Sequence, residues 1–481
     1  MDIFKQIIDI VNWVFMGILV IGFLPQVLYI FISLKKLPQR PPAKKDHIFA
    51  IMLCAKDEAK VVGDTVQCML RQNYPQDKFR VFVIADNCID NTAEIARKNG
   101  AIVYERFDKE HIGRGWANSF GTSKILENYP DTEAFIMFDA DNLAAFDYLK
   151  HMNDAFDDGV ELAGGYANSK NFSMNIPADI SGIYYMRSCR FSAHARELLG
   201  FNQNLATSGM LISSRILREK GYDAHGLCED AEFIINRVLD GERAHYVEEA
   251  QYYAEQPSSL RETFKRNLRF GRGGSKLFAT KGGSLLGHFF TTGKLTFLDL
   301  FVEYMFIPLA LICTIWFPLF YGFWFINDII MFSVQPQLLI GLAKNAAMGI
   351  CIAFILPFVL QSIAVVLMEK KKLMHTTPKK LAPAMLLFPI YMIVYMVSIA
   401  AGTFNFHSKW KKINHSNTMT YKEFFGIKES GDGETIATDA SSIEIVAEEV
   451  ATETTAKKVT EEVAEEKIAI EKVTLQAQEN E

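Results

Sequence analysis

Cysteine is scarce and scattered: seven among 481 residues, with no CxxC pair and no histidine-rich spacing nearby. That pattern argues against a zinc site and a disulfide framework, and it suits a reducing compartment in which the thiols are core side chains. Positive charge is sparse ahead of the first apolar run, residues 11–34, whereas Lys35, Lys36, Arg40, Lys44 and Lys45 follow it. A cleaved secretory signal has the opposite order and a small-residue cleavage site. The run exceeds the ~20 residues that a membrane helix needs, so it reads as an anchor, with residue 35 onward in the cytoplasm by the positive-inside rule. Aromatic residues are missing from 428–481, where 15 acidic residues face 5 basic ones; with the whole chain at −6, the remainder is +4. A segment with so little to bury is expected to be disordered. No inverted repeat of apolar segments supports a transporter, and nothing calls for nucleic acid as a partner.

Hydrophobic residues make up 49% of the chain and are unevenly placed, with long apolar runs at 11–34 and across 297–403. Between them lies an alternation of short apolar strands and amphipathic stretches. Strands are expected at 47–54, 79–85, 101–104 and 134–138, and helices at 58–71, 92–99, 116–128 and 231–239. This spacing predicts an α/β fold, a mostly parallel sheet with helices on both faces. The domain plan is a transmembrane anchor over 1–34, a basic linker over 35–46 and a cytoplasmic α/β domain over 47–257. An Arg/Gly-rich segment of helices and loops at the membrane surface follows over 258–296. Then come transmembrane helices over 297–403 (spans near 303–326, 345–368 and 381–403), a juxtamembrane segment over 404–427 and the acidic tail over 428–481. One conflict stands in this plan. The basic loops 370–380 and 409–412 both ask for the cytoplasm, yet a single span separates them.

Polar groups stand at the strand ends, where open α/β sheets bind ligands. Asp86 opens an Asp/Asn-rich loop after the second strand and can accept a hydrogen bond from a nucleobase; the same loop can be a simple turn. Asp139 and Asp141, at i and i+2 after an apolar strand, form a hard-oxygen pair able to hold Mg²⁺ or Mn²⁺ against a diphosphate, or else a solvated loop. Glu229 and Asp230 precede a helix, where a carboxylate can deprotonate an acceptor hydroxyl or merely face the helix N-terminus. Arg266 and Arg269 share a helix face with Phe270 adjacent, suited to phosphates and a sugar, or to anionic lipid headgroups. Asp299 and Glu303 precede an apolar run and can line a channel or sit at the interface. His194, with Arg187, Arg190 and Arg196, reads as a basic surface helix.

The order of these elements resembles the membrane-bound family 2 glycosyltransferases, the group of cellulose, hyaluronan, chitin and poly-N-acetylglucosamine synthases. The resemblance runs from about residue 48 to 274. The family's D-D/N-x-S/C-x-D-x-T is similar to residues 86–92, its K-G to Arg114-Gly115 and its D-x-D to Asp139-Ala140-Asp141. Its T-E-D is similar to Cys228-Glu229-Asp230 and its Q-x-x-R-W to residues 266–270. Residues 278–281 resemble a shortened gating loop of the cellulose synthase branch. The resemblance implies a GT-A fold and an inverting, metal-dependent transfer from a UDP-sugar to a growing polysaccharide at the cell membrane. A single addition to a lipid-linked acceptor is the alternative, and an inactive membrane scaffold the rival of another class. It also implies roles: Ala55, Glu58, Asp86, Arg114 and Asp139 for the donor, Asp139 and Asp141 for the metal. Asp230 would be the base with Glu229 in support, and Arg266, Arg269 and Phe270 would meet the diphosphate and acceptor. Arg266 and Phe270 depart from the Gln and Trp of the motif linked to processive extension, which bears on chain length rather than on transfer.

Overall fold

A computed structural model describes residues 2–204, 208–304, 306–331, 344, 348, 351–404, 419–430 and 433–435. Its centre is strand β1 (Phe49–Ala55), an uninterrupted apolar run. Successive side chains of a strand point to opposite faces. Ile51 and Leu53 therefore enter one apolar cluster, with Met69 of α2 (Val62–Leu70) and Met152 of α5 (Tyr148–Asp157). Ala50 and Met52 enter the other, with Ile125 of α4 (Arg114–Asn128) and Phe233 of α9 (Glu229–Leu239). Helices cover both faces, and each fully buried Phe, Ile or Leu contributes about 1.5–3 kcal/mol.

Strand β1 pairs in parallel with β2 (Phe79–Asp86) and β4 (Ala134–Asp139), and β2 pairs in parallel with β3 (Ile102–Arg106). This half matches the expectation from sequence, with boundaries displaced by one or two residues. Beyond β4 the sheet becomes mixed. β7 (Met210–Ser213) runs antiparallel to both β4 and β6 (Leu162–Ser169), β8 (His245–Ala254) parallel to β6, and β5 (Leu143–Ala144) antiparallel to β8. The order across the eight strands is β3-β2-β1-β4-β7-β6-β8-β5. The remaining helices of this layer are α3 (Thr92–Lys98), α6 (Ile176–Arg187), α7 (His194–Leu199) and α8 (Ser214–Lys220).

The Arg/Gly-rich segment is one continuous helix, α10 (Leu260–Thr292), rather than helices broken by loops. Ser259 caps it, its side chain accepting from the Glu262 N–H. Two of its glycines are places of close approach: a Cβ at Gly271 would sit 2.3 Å from the Ile399 carbonyl oxygen, and one at Gly273 2.3 Å from Cys228 Sγ. Residues 278–281 lie inside this helix, with Phe278 against Phe301 at 5.7 Å, so they form no loop.

Among the described residues, three helical stretches are long and apolar enough to cross a membrane: Gln6–Ile32, Leu295–Ile326 and Ala382–Thr403. The first belongs to α1 (Asp2–Ile32). The second comprises α11 (Leu295–Tyr304), α12 (Phe306–Leu311) and the start of α13 (Phe317–Met331). The third is α15 (Ala382–Thr403). For the span expected over 345–368, residues 345–347 and 349–350 lie outside the described residues; the described part ends in α14 (Leu356–Met368). Asp299 forms no channel wall. It is buried, accepts from Tyr29 Oη of α1 and pairs with Arg196 at 2.7 Å, while Glu303 pairs with the same arginine. His194 and Arg196 are buried rather than on a basic surface helix, and His194 Nδ1 lies 2.8 Å from Glu248.

A second unit covers Thr418–Glu481. Its described part holds a short helix, α16 (Tyr421–Phe424), closed by a Thr420/Glu423 capping box. An antiparallel pair follows, β9 (Lys428–Ser430) with β10 (Gly433–Thr435), so the start of the expected disordered tail is paired strand. Residues 436–481, like the basic loop 409–412, lie outside the described residues.

Candidate active site

The parallel register brings the carboxyl ends of β1, β2 and β4 side by side, with Ala55 opposite Ala85 and Cys54 opposite Asp139. The loops after β1 and β2 are stitched together. The Glu58 N–H donates to Thr92 Oγ1 at 2.8 Å, the Ile89 N–H to Asp57 Oδ1 at 2.8 Å and the Ala59 N–H to Asp90 Oδ2 at 3.2 Å. Asp57 and Asn87 hold positive φ angles of 56° and 52° to make these turns. Asp86 is buried and pairs with Arg106 at 2.6 Å, while Asn87 Nδ2 donates to the same carboxyl oxygen. Burial pushes the Asp86 carboxyl up, and the Arg106 guanidinium pulls against it. Arg106 escaped the reading of the sequence. Its signal was its place at the end of β3, directly opposite Asp86 in the β2–β3 register.

Arg114 begins α4 and joins two groups far apart in sequence. It pairs with Asp139 Oδ1, and its Nε stands 3.8 Å from Glu229 Oε1. Burial opposes the charge on Arg114; the two carboxylates more than offset that, and its pKa rises. The other Asp139 oxygen accepts from Ser208 Oγ at 2.8 Å, and Ser208 Oγ in turn accepts from the Asp139 N–H. Ser208 precedes β7, the antiparallel neighbour of β4, and no local motif announced it. The Asp139 carboxylate remains 40% exposed, and Asp141 follows two residues on. A partly exposed carboxylate with a second one two residues on is a donor set of the kind that holds a divalent cation whose other ligands come from a diphosphate and water. Burial pushes Cys54, Cys68 and Cys189 up to about 12, so these thiols stay protonated core groups.

Glu229 and Asp230 occupy the first turn of α9, where the helix dipole favours negative charge. They differ in setting. Glu229 is buried, and burial together with the neighbouring Asp230 raises its pKa to about 7. Asp230 is half-buried, with the Ala231 N–H donating to its Oδ1 at 2.8 Å. Since Glu229 holds its proton more tightly folded than unfolded, its contribution to stability is full below about pH 4.5 and declines as pH rises to about 7. Glu229→Gln is expected to abolish that decline and to raise stability by about 2–3 kcal/mol at pH 8 relative to the wild type. Thermal unfolding of both proteins from pH 4.5 to 8 checks this.

Two close approaches fix the acid pair. A Cβ at Gly115 would lie 2.1 Å from the Ala224 carbonyl oxygen, and one at Gly273 of α10 would lie 2.3 Å from Cys228 Sγ. Because backbone opposes backbone at Gly115, Gly115→Ala is expected to lose about 1–3 kcal/mol. It should also part Arg114 from Glu229, seen as a lower melting temperature together with reduced turnover. Next to this contact, Trp116 stacks on His225 at 3.7 Å, a pair that no sequence motif marked.

The Arg/aromatic block of α10 divides. Arg269 acts electrostatically on Glu229 and Cys228, and its guanidinium lies 5.4 Å from the Phe270 ring centroid. Arg266 turns instead to the Tyr185 ring at 5.6 Å and to Gln256 Oε1 at 3.3 Å. Phe270 packs against Ala310, Ile399 and Ala400 of the apolar helices. Arg266 is thus engaged with Tyr185 and Gln256, and Phe270 with the apolar helices.

One mixed sheet covered by helices on both faces, with carboxylates at its strand ends, is the fold of GT-A glycosyltransferase domains. Residues 46–273 match the family described as glycosyltransferase like family 2, and the chain carries a domain of that family. Mannosyltransferase PcManGT from Pyrobaculum calidifontis, solved with GDP-Man and Mn²⁺, shares the fold at a TM-score of 0.51 and 14% identity, over 82% of this chain and 99% of that one. TarS (residues 1–349) of S. aureus, solved with UDP-GlcNAc, aligns over 82% of this chain and 97% of its own at a TM-score of 0.36 and 11% identity. Uncharacterized protein MJ1222 of Methanocaldococcus jannaschii is 29% identical over 135 residues, 28% of this chain and 52% of that protein. The chain thus spans about half the length of that relative.

Proposed function

We propose that this chain is an inverting glycosyltransferase that moves a sugar from a nucleotide-sugar donor, with UDP as the nucleotide, to a growing polysaccharide at the membrane. The observation that carries the reading is Arg114, which ties the donor-side carboxylate Asp139 to the acid pair at α9. Asp86, Ala55 at the end of β1 and the stitched loop bearing Glu58 form the floor for the base and ribose. Asp139 and Asp141 would hold Mg²⁺ or Mn²⁺, which supplies positive charge to the departing diphosphate. Arg114 and Arg269 add fixed charge at the same place. Asp230, the more open acid, takes the proton of the acceptor hydroxyl as its oxygen attacks the anomeric carbon opposite the leaving diphosphate. Glu229 supports it by holding its charge low beside Asp230. One displacement inverts the anomeric centre, and no second nucleophile is required.

A specific observation favours the second reading, one sugar added to a lipid-linked acceptor. Phe270 is engaged with Ala310, Ile399 and Ala400 instead of standing as a free platform for a lengthening chain. Purified protein in nanodiscs, given UDP-, GDP- and dTDP-sugars with Mg²⁺ or Mn²⁺, separates the two. Nucleoside diphosphate released together with high-molecular-weight product supports the polysaccharide. Release that requires added lipid acceptor and stops at one sugar supports the second reading. No release with any donor, metal and acceptor from folded protein removes both.

A further inference from the structure

We infer that α15 does not cross the bilayer but lies along it, in the leaflet on the side of the α/β domain. This rests on the membrane setting just proposed. Helix α15 has 22 residues, about 33 Å of length, and its composition alone would permit a span. Its contacts argue otherwise, because the α/β domain and α10 grip it from end to end.

Ahead of α15, Asn168 Nδ2 donates to the Lys372 carbonyl at 2.7 Å, Lys372 Nζ pairs with Glu248 at 2.7 Å, and Ser173 Oγ donates to Thr376 at 2.7 Å. In its first turns Ala384 and Phe388 pack with Phe172, Ile180 and Ile183. At mid-length Tyr391 and Tyr395 lie 5.7 and 5.2 Å from Tyr184 of α6. At its end α15 crosses α10: a Cβ on Gly402 would come 2.4 Å from the Leu268 carbonyl oxygen, and Thr403 Oγ1 is 2.9 Å from Ser275 Oγ. Ala384 and Ile399 are separated by roughly 22 Å along the axis. Were α15 a span, that distance would be depth in hydrocarbon. The crossing point on α10 would then sit deep in the membrane together with Arg269, Arg272 and the Cys228 loop that packs on Gly273. Charged groups and the acid pair of the active site cannot be placed there without a large penalty.

The outward face of α15 states what covers it. Leu386, Ile390, Ile393 and Val397 are exposed at i, i+4, i+7 and i+11, one stripe along the helix, and no charged residue occurs between Ala382 and Thr403. Lys370, Lys371, Lys379 and Lys380 stand before it, and Lys409, Lys411 and Lys412 follow in sequence. An apolar stripe with lysines at both ends fits an anionic bilayer surface. Helix α14 likewise exposes Leu356, Leu360 and Leu367. The in-plane placement removes the conflict in the charge pattern, since α15 is then no longer a span that has to separate the basic loop 370–380 from the lysines that follow it in sequence.

Spin labels at Leu386→Cys, Ile390→Cys, Ile393→Cys and Val397→Cys in proteoliposomes, in a Cys351→Ser background, report depth by oxygen and nickel-chelate accessibility. An in-plane α15 gives four depths agreeing within about 5 Å, within the ~5–10 Å shell occupied by interfacial helices. A span gives a monotonic gradient of about 16 Å from first to last label, and overturns the inference. Lys380→Cys and Lys412→Cys supply an independent reading with a membrane-impermeant maleimide in sealed vesicles. Equal labelling from the side on which the α/β domain is proteolysed supports it, and labelling from opposite sides overturns it. Neither readout needs sugar transfer, so loss of activity leaves them intact. Failure of the protein to enter vesicles at all would instead refute the membrane setting itself.

Discussion

Asp230→Asn is expected to lower sugar transfer about 10²–10⁴-fold, the range a positioned general base supplies, while donor affinity and melting temperature stay near wild type. The substitution is nearly isosteric. An asparagine carbonyl oxygen can still accept the Ala231 N–H that Asp230 Oδ1 accepts at 2.8 Å, so the first turn of α9 keeps its bond. What is lost is a carboxylate able to take a proton. Asp230 is the member of the pair open to an acceptor, since Glu229 is buried and turned toward Arg114. Nucleoside diphosphate release measures the rate, and calorimetric titration with donor measures binding. Undiminished release would transfer the base to another group, and a parallel loss of donor affinity would make Asp230 a binding residue.

Arg114→Ala carries the largest expected effect on stability, about 3–5 kcal/mol, the cost of leaving buried charge without its partner. The loss has two sources. Glu229 would face Asp230 with its nearest cation gone, and Asp139 would keep only Ser208. The double variant Arg114→Ala/Glu229→Gln should recover part of the loss, because the glutamine carries no charge to be left unpaired; contacting pairs couple by about 0.5–3 kcal/mol. Arg114→Lys should fall between. A compact ammonium reaches one carboxylate, whereas the planar guanidinium reaches two. Thermal unfolding of the four proteins in one detergent tests the cycle. Strict additivity would mean that Arg114 and Glu229 do not act on one another.

The reading of the sequence recovered the parallel half of the sheet because β1, β2 and β4 are continuous apolar runs ended by polar loops. Both faces of such strands are buried, so pattern and environment agree. Asp86, Asp139, Glu229 and Asp230 could be singled out as candidates from the sequence, since each stands next to an element boundary that the pattern reveals. Arg106 and Ser208 were missed because each gains its role only from a neighbouring strand. The antiparallel turn of β7 against β4, which delivers Ser208, follows from pairing and not from local residue choice. His194 and Arg196 were read as exposed for the same reason: their partners Glu248 and Asp299 lie 54 and 103 residues away.

The glycine-rich block and the last apolar helix mark the limit most clearly. Glycine is a poor helix former, yet residues 271–274 lie inside α10, and at Gly271 and Gly273 Ile399 and Cys228 leave no room for a Cβ. Phe270 reads from sequence as a platform for a sugar, and its packing against Ala310, Ile399 and Ala400 is a contact that only the fold supplies. For α15, composition fixes only that one face must avoid water; a span and an in-plane helix meet that demand equally well. Sequence by itself determined the α/β alternation, the carboxylates at the strand ends and the apolar segments, since each depends on residues adjacent in the chain. Which arginine joins which carboxylate and which glycine is a helix crossing were decided only by tertiary structure, because those partners meet across distances that no local pattern encodes.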